Sequence, residues 1–152
     1  MKLAEALILR ADYQKRSVQL RQRIANCAKV QEGEEPAENP QVLLTEYDQV
    51  LDAMFDLLKR INRTNSMTEF EPGKTLTDAL AERDILVARR KAYVELVEAA
   101  SVKHERYSRS EIKFQSTVNV ATIQKQVDDL AKAYRVLDTK IQALNWVAEL
   151  VP

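Results

Sequence analysis

The stretch VATIQKQVDDLAKAYRVLDTKIQALNWVAELV, residues 120–151, sets Val120, Ile123, Val127, Leu130, Tyr134, Leu137, Ile141, Leu144, Ala148 and Val151 at alternating spacings of three and four. A mean period of 3.5 belongs to a helix packed along its length against a nearly parallel or antiparallel neighbour. At ~1.5 Å per residue that helix is about 45 Å long. The same alternation recurs in residues 40–63, through Leu44, Tyr47, Leu51, Met54, Leu58 and Ile61. Two such seams commit the chain to long helices.

Two more helices are expected on either side of the second seam. The first, about 2–31, carries one stripe of Leu3, Leu7, Ala11, Val18 and Ala25 and another of Leu9, Tyr13, Leu20, Ile24 and Cys27. Two stripes imply two packing neighbours. Another, about 76–102, reads Leu76, Ala79, Arg83, Leu86, Arg90, Tyr93, Val97 and Ala100. Arg83 and Arg90 fall on its seam, where an arginine needs an acidic partner because an unpaired charge in an apolar contact costs several kcal/mol. The alternative is that both snorkel from the edge while Leu80, Val87 and Val94 form the core line. Asn39-Pro40 and Asn119 read as helix starts, and Thr75-Leu76-Thr77-Asp78 as a capping box. Residues 111–118 and, more weakly, 66–70 alternate apolar and polar side chains like strands. The architecture expected is a single all-α domain, an elongated bundle of four long helices (2–31, 40–63, 76–102 and 120–149). Its hairpins are antiparallel and coiled-coil-like, and a short ribbon pairs 66–70 with 111–118.

Composition agrees with that class. The 152 residues are 45% hydrophobic and 30% charged, with two glycines, four prolines and one cysteine. A disulfide framework, a turn-rich β-sandwich, a disordered chain and a membrane span of ~18 apolar residues are all excluded. The formal charge is zero, but it is unevenly spread. Residues 1–31 hold seven bases and two acids, net +5, whereas residues 32–58 hold eight acids and no base, net −8. A +5 helix alone would suggest nucleic acid, but an acidic segment directly after it points to mutual neutralisation in a hairpin, which argues against nucleic-acid binding. The first ten residues, with Glu5 and Arg10, lack the pattern of a secretory signal, and Cys27 among Ile24 and Val30 reads as a buried structural thiol. Both features predict a cytoplasmic protein.

Catalytic chemistry finds little support. Gly73-Lys74-Thr75 resembles the end of a phosphate-binding loop, but the glycine required five residues earlier is Thr68. The one histidine, His104, lies in the polar run Lys103-His104-Glu105-Arg106 with no glutamate three residues before it, so no di-iron or zinc set can be assembled. No catalytic residue, metal or cofactor is expected, and the protein reads as no enzyme. The polar clusters at helix ends remain: Asn62, Arg63, Thr64 and Asn65 after Arg60; Thr75, Asp78 and Arg83; and Arg106, Tyr107, Ser108, Arg109 and Lys113. They either cap helices and complement helix dipoles or converge as a rim that binds a small anion or a protein partner. Long helices in a short chain leave a thin interior, which predicts a homo-oligomer, a dimer or higher.

Several motifs also carry a family likeness. Met1-Lys2-Leu3-Ala4-Glu5-Ala6-Leu7, Val30-Gln31-Glu32-Gly33-Glu34, Ile61-Asn62-Arg63-Thr64-Asn65, Thr75 to Asp84, Arg106-Tyr107-Ser108-Arg109-Ser110-Glu111-Ile112-Lys113 and Asn145-Trp146 occur in that order. Together they resemble a bacterial family often labelled septicolysin. The resemblance implies a bacterial source and a helical fold, and the label implies an oxygen-sensitive, pore-forming haemolysin acting on membranes, which stands as the alternative function. It supplies no catalytic residue.

Overall fold

A computed structural model describes residues 1–101 and 113–152. Among them the chain forms four helices, α1 (Leu3–Asn26), α2 (Pro40–Met67), α3 (Leu76–Ala100) and α4 (Val120–Val147), and two short strands, β1 (Glu69–Glu71) and β2 (Lys74–Thr75). They fall into two compact units, Met1–Thr75 with Gln142–Pro152, and Leu76–Ile141.

In the first unit α1 and α2 form an antiparallel hairpin. Leu20, Cys27, Leu43 and Val50 make its buried cluster, with Tyr13, Ile24 and Tyr47 packed against them. This is the second of the two stripes expected on α1, whereas Val18 of the first stripe is 60% exposed. The charge division closes across the same contact: Arg16 bonds Glu46 and Arg23 bonds Glu38. As α1 advances by seven residues, from Arg16 to Arg23, the partner falls back by eight, from Glu46 on α2 to Glu38 just before it, so the helices run in opposite senses. The side-chain bond from Arg23 holds the Glu38 carboxyl below its ordinary range. The first helix stops at Asn26 rather than 31 because its last turn tightens, with the Cys27 and Ala28 amides bonding carbonyls three residues back at 3.2 and 3.3 Å. Gly33, at φ +86, then turns the acidic loop, and the Asn39 side chain accepts the Gln41 amide at 2.9 Å to start α2 on Pro40.

The buried face of α2 differs by one position from the expected seam. Leu43, Val50, Leu57, Ile61 and Thr64 are buried, while Leu44 is 39% exposed and Leu51 and Leu58 are half-buried. The helix also runs on past residue 63. Thr64 and Ser66 fold their hydroxyls onto the Arg60 and Arg63 carbonyls, each at 2.8 Å, and the Thr68 amide and hydroxyl both bond the Thr64 carbonyl. Asn62 to Asn65 therefore lie within the last turns of a helix.

The expected ribbon is corrected as well. β1 pairs with β2, antiparallel, Glu69 opposite Thr75 and Glu71 opposite Lys74. Pro72-Gly73 forms the connection, with Gly73 at φ +77, the proline-then-glycine order of a type II turn. Residues 113–118 form no strand, and 111 and 112 lie outside the described residues. Gly73-Lys74-Thr75 is thus a hairpin turn and its return strand.

Residues 148–152 complete the first unit. The Leu3 amide bonds the Ala148 carbonyl and the Leu150 amide bonds the Met1 carbonyl, both at 2.9 Å, around an antiparallel bridge of Lys2 with Glu149. The Lys2 ammonium bonds the Glu149 carboxylate and holds its pKa below the ordinary range. From α2, the Thr64 hydroxyl accepts the Val151 amide at 3.1 Å, Arg60 Nε donates to the Val151 carbonyl at 3.0 Å and Arg63 donates to the Pro152 carbonyl at 2.7 Å. Thr64 is 1% exposed, so its hydroxyl serves a site that water does not reach.

In the second unit α4 bears out its predicted seam: Val127, Leu137 and Ile141 are buried and Ile123, Leu130 and Tyr134 are half-buried. Asn119 caps it, accepting the Thr122 amide at 3.1 Å. Arg83 of α3 has the acidic partner its seam position demands, donating to Asp138 at 2.7 Å, with the two side chains 25% and 28% exposed. Leu80, Val87 and Val94 are not a core line, because Val87 is 52% exposed.

Three outcomes follow for the first unit. Leu20→Ala empties the α1–α2 cluster and lowers the unfolding free energy in urea by about 2–5 kcal/mol, whereas Val18→Ala changes it by less than about 0.5 kcal/mol. Thr64→Val keeps the shape but strands the half-buried Val151 amide, lowering stability by about 1 kcal/mol and speeding hydrogen exchange there; Thr64→Ser preserves the bond. Because the Glu38 pKa is depressed in the folded chain, its contribution is present above the unfolded glutamate value of about 4.3 and disappears as pH falls through the lower folded value. The thermal-melting difference between wild type and Glu38→Gln should therefore be present at neutral pH and vanish in strong acid.

Candidate functional site

The residues expected to form a rim have separate placements. Asn62, Arg63, Thr64, Asn65 and Thr75 belong to the first unit, Asp78, Arg83 and Lys113 to the second, and Arg106, Tyr107, Ser108 and Arg109 lie outside the described residues. Three of them already have protein partners. Arg63 holds the Pro152 carbonyl, Thr64 is buried under Val151, and Arg83 is paired with Asp138. Thr75 and Asp78 have partners of their own. Asn62 and Lys113 are exposed and Asn65 is half-buried. No group of three or more histidine, cysteine, aspartate or glutamate side chains able to hold a metal ion occurs among the described residues.

The second unit holds the feature that sequence reasoning missed. A groove of about 620 Å³ runs between α3 and α4, with Leu86, Val87, Val94, Ala131 and Tyr134 as its apolar lining and Arg90, Lys91, Glu95, Glu98 and Arg135 as its charged residues. It lies beyond the Arg83–Asp138 pair, which joins the two helices at one end. Val87 stands 52% exposed in it. Of the 25 residues of α3 only Leu76 and Ala79 are buried.

The aliphatic part of that lining gains about 25 cal/mol for each Å² removed from water. Among the described residues Arg23 has its pKa raised by its bond to Glu38, Glu38 has its pKa lowered by Arg23, and Glu149 has its pKa lowered by Lys2. All three belong to surface ion pairs of the first unit. Of the two arginines on the seam of α3, Arg83 is half-buried against Asp138 and Arg90 is exposed at the groove.

Known proteins give a consistent placement. The chain is similar to a functionally unknown conserved protein from Corynebacterium diphtheriae, whose crystal structure superposes with a TM-score of 0.93 at 49% identity, over 99% of both chains. No curated protein matches it. The likeness to septicolysin is overturned: the matching family model describes a family of unknown function, the structural neighbour is functionally unknown, and neither points to a haemolysin. No described helix is long and apolar enough to cross a membrane. With a match that spans residues 10–150, the chain belongs to the family of unknown function DUF6847.

Proposed function

We propose that the protein is a non-catalytic helical protein that works by self-assembly, with the α3–α4 face as its contact surface. One observation carries this reading. A helix of 25 residues that contains Leu80, Leu86, Val87, Val94 and Val97 buries only Leu76 and Ala79. Covering a Val or Leu side chain gains about 1.5–3 kcal/mol, so another surface that covers this face stabilises both partners. Helical stability in proteins comes chiefly from packing an apolar face, and α3 has such a face without the packing.

The alternative ligand classes draw less support. Arg63, Thr64 and Arg83 are engaged within the chain, so no anion role is assigned to that rim. Arg16 and Arg23 of the basic first helix are bonded to Glu46 and Glu38, which removes two of the cations a nucleic acid would need. A cytoplasmic setting belongs to the same reading, supported by Cys27, a buried free thiol and the only cysteine of the 152 residues.

Light scattering coupled to gel filtration tests the proposal. More than one chain per particle is expected at micromolar concentration. Val87→Asp, in the groove, should cost about 2 kcal/mol or more of association free energy and shift the particle to a single chain. Val18→Asp, on the exposed face of α1, should leave the particle unchanged. A wild-type protein that elutes as one chain at every concentration sinks the reading.

A further inference from the structure

Resting on that reading, we infer that the occupant of the groove is the α3–α4 face of a second copy, with the two α3 helices antiparallel about a two-fold axis near Val94. The argument is the order of charges along the groove. Arg90, Lys91, Glu95 and Glu98 all line it and read positive, positive, negative, negative along α3. At 100° per residue, Lys91 and Glu98 differ by only about 20° around the helix and stand on one flank. A parallel second copy would set Lys91 level with Lys91 and Glu98 level with Glu98 on opposite flanks of the contact, so neither would meet its complement. An antiparallel copy centred between residues 94 and 95 sets Lys91 of each copy opposite Glu98 of the other. The two-fold axis repeats that pair, so one surface complements itself, as an isologous contact requires.

The apolar residues fit the same arrangement. The centre falls between Val94 and Glu95: Val94, on the groove face, meets its own counterpart, Glu95 stands about 100° round the helix on the flank of Lys91, and Val87 lies about two turns away along the face of Val94. Lys91 already approaches Glu95 of its own helix at 4.0 Å, with both side chains mostly exposed, so the second copy adds to a charged edge. Opposite charges across the rim fix orientation, and the valine and leucine side chains supply the burial.

Two measurements test this and separate it from the wider proposal. Lys91→Glu and Glu98→Lys should each raise the dissociation constant by roughly tenfold, and the double variant Lys91→Glu/Glu98→Lys should return it to within about threefold of wild type. Val94→Cys should give a disulfide-linked dimer under mild oxidation, because only a position near the axis can meet its own copy within the 4.4–6.8 Å or so that a disulfide spans. Val87→Cys should give none. An assembly in which the double reversal fails to rescue, or in which Val87→Cys cross-links as readily as Val94→Cys, overturns this pairing but leaves self-assembly standing. A single chain at every concentration overturns both.

Discussion

Leu20 and Cys27 of α1 lie against Leu43 and Val50 of α2, and the rest of the first unit follows from how that contact rotates α2. With Leu43, Val50 and Leu57 turned inward, the next position at the same seven-residue interval is Thr64, which must share their burial. A buried hydroxyl has to be satisfied. Thr64 donates to the Arg60 carbonyl and accepts the Val151 amide. The segment 148–152 is therefore held at this point because the apolar stripe of α2 ends in a threonine where another leucine would have offered no acceptor. Arg60 and Arg63, one turn and one residue earlier on the same helix, bond the Val151 and Pro152 carbonyls.

Charge selects this hairpin more than it strengthens it. The Arg16–Glu46 and Arg23–Glu38 pairs are largely exposed, and exposed pairs contribute little against salt and side-chain entropy. Their value lies in register. A helix carrying net +5 followed by a loop and helix segment of net −8 meets attraction all along the antiparallel contact. A slip of one turn would move Arg23 away from Glu38 and separate Leu20 from Val50 at once. Packing and charge specify the same alignment, and such agreement leaves few competing structures.

Local chemistry was legible in the sequence, and choices that depend on a distant partner were not. Asn39 and Asn119 declare helix starts because a cap needs only its own next few amides, and the α4 seam is legible because one residue per turn is apolar. The α2 face is not, because apolar side chains occur at both 43 and 44, 50 and 51, and 57 and 58. The two settings differ by about 100° of rotation, and only the position of α1 selects between them. Residues 111–118 alternate like a strand, but a strand exists through its partner, and the turn chemistry that does specify a hairpin is Pro72-Gly73. Arg63 and Thr64 look the same in sequence whether they await an external anion or bond carbonyls and amides nearly ninety residues ahead. Arg83 and Arg90 fall on the same seam of α3, and only the structure separates the one half-buried against Asp138 from the one exposed at the groove.

The distribution of apolar residues around α3 bears on how large an assembly it builds. Val87 and Val94 lie about 20° apart on the groove face, while Ile85 and Leu96, 57% and 39% exposed, lie on the opposite side of the helix. A helix apolar all round belongs inside a larger core, and a ring or filament could be built by covering both faces. The spacing decides otherwise. Ile85 and Leu96 are eleven residues apart, about 16 Å along the axis, with Arg89 and Ala92 between them on that side. Two separated aliphatic side chains among polar neighbours are ordinary on a soluble surface and form no patch. The groove face, by contrast, joins Leu86, Val87, Val94, Ala131 and Tyr134 into one continuous lining. A single two-fold contact of the kind proposed would cover the continuous surface and leave the isolated residues in water, and an assembly built on it would close at two chains.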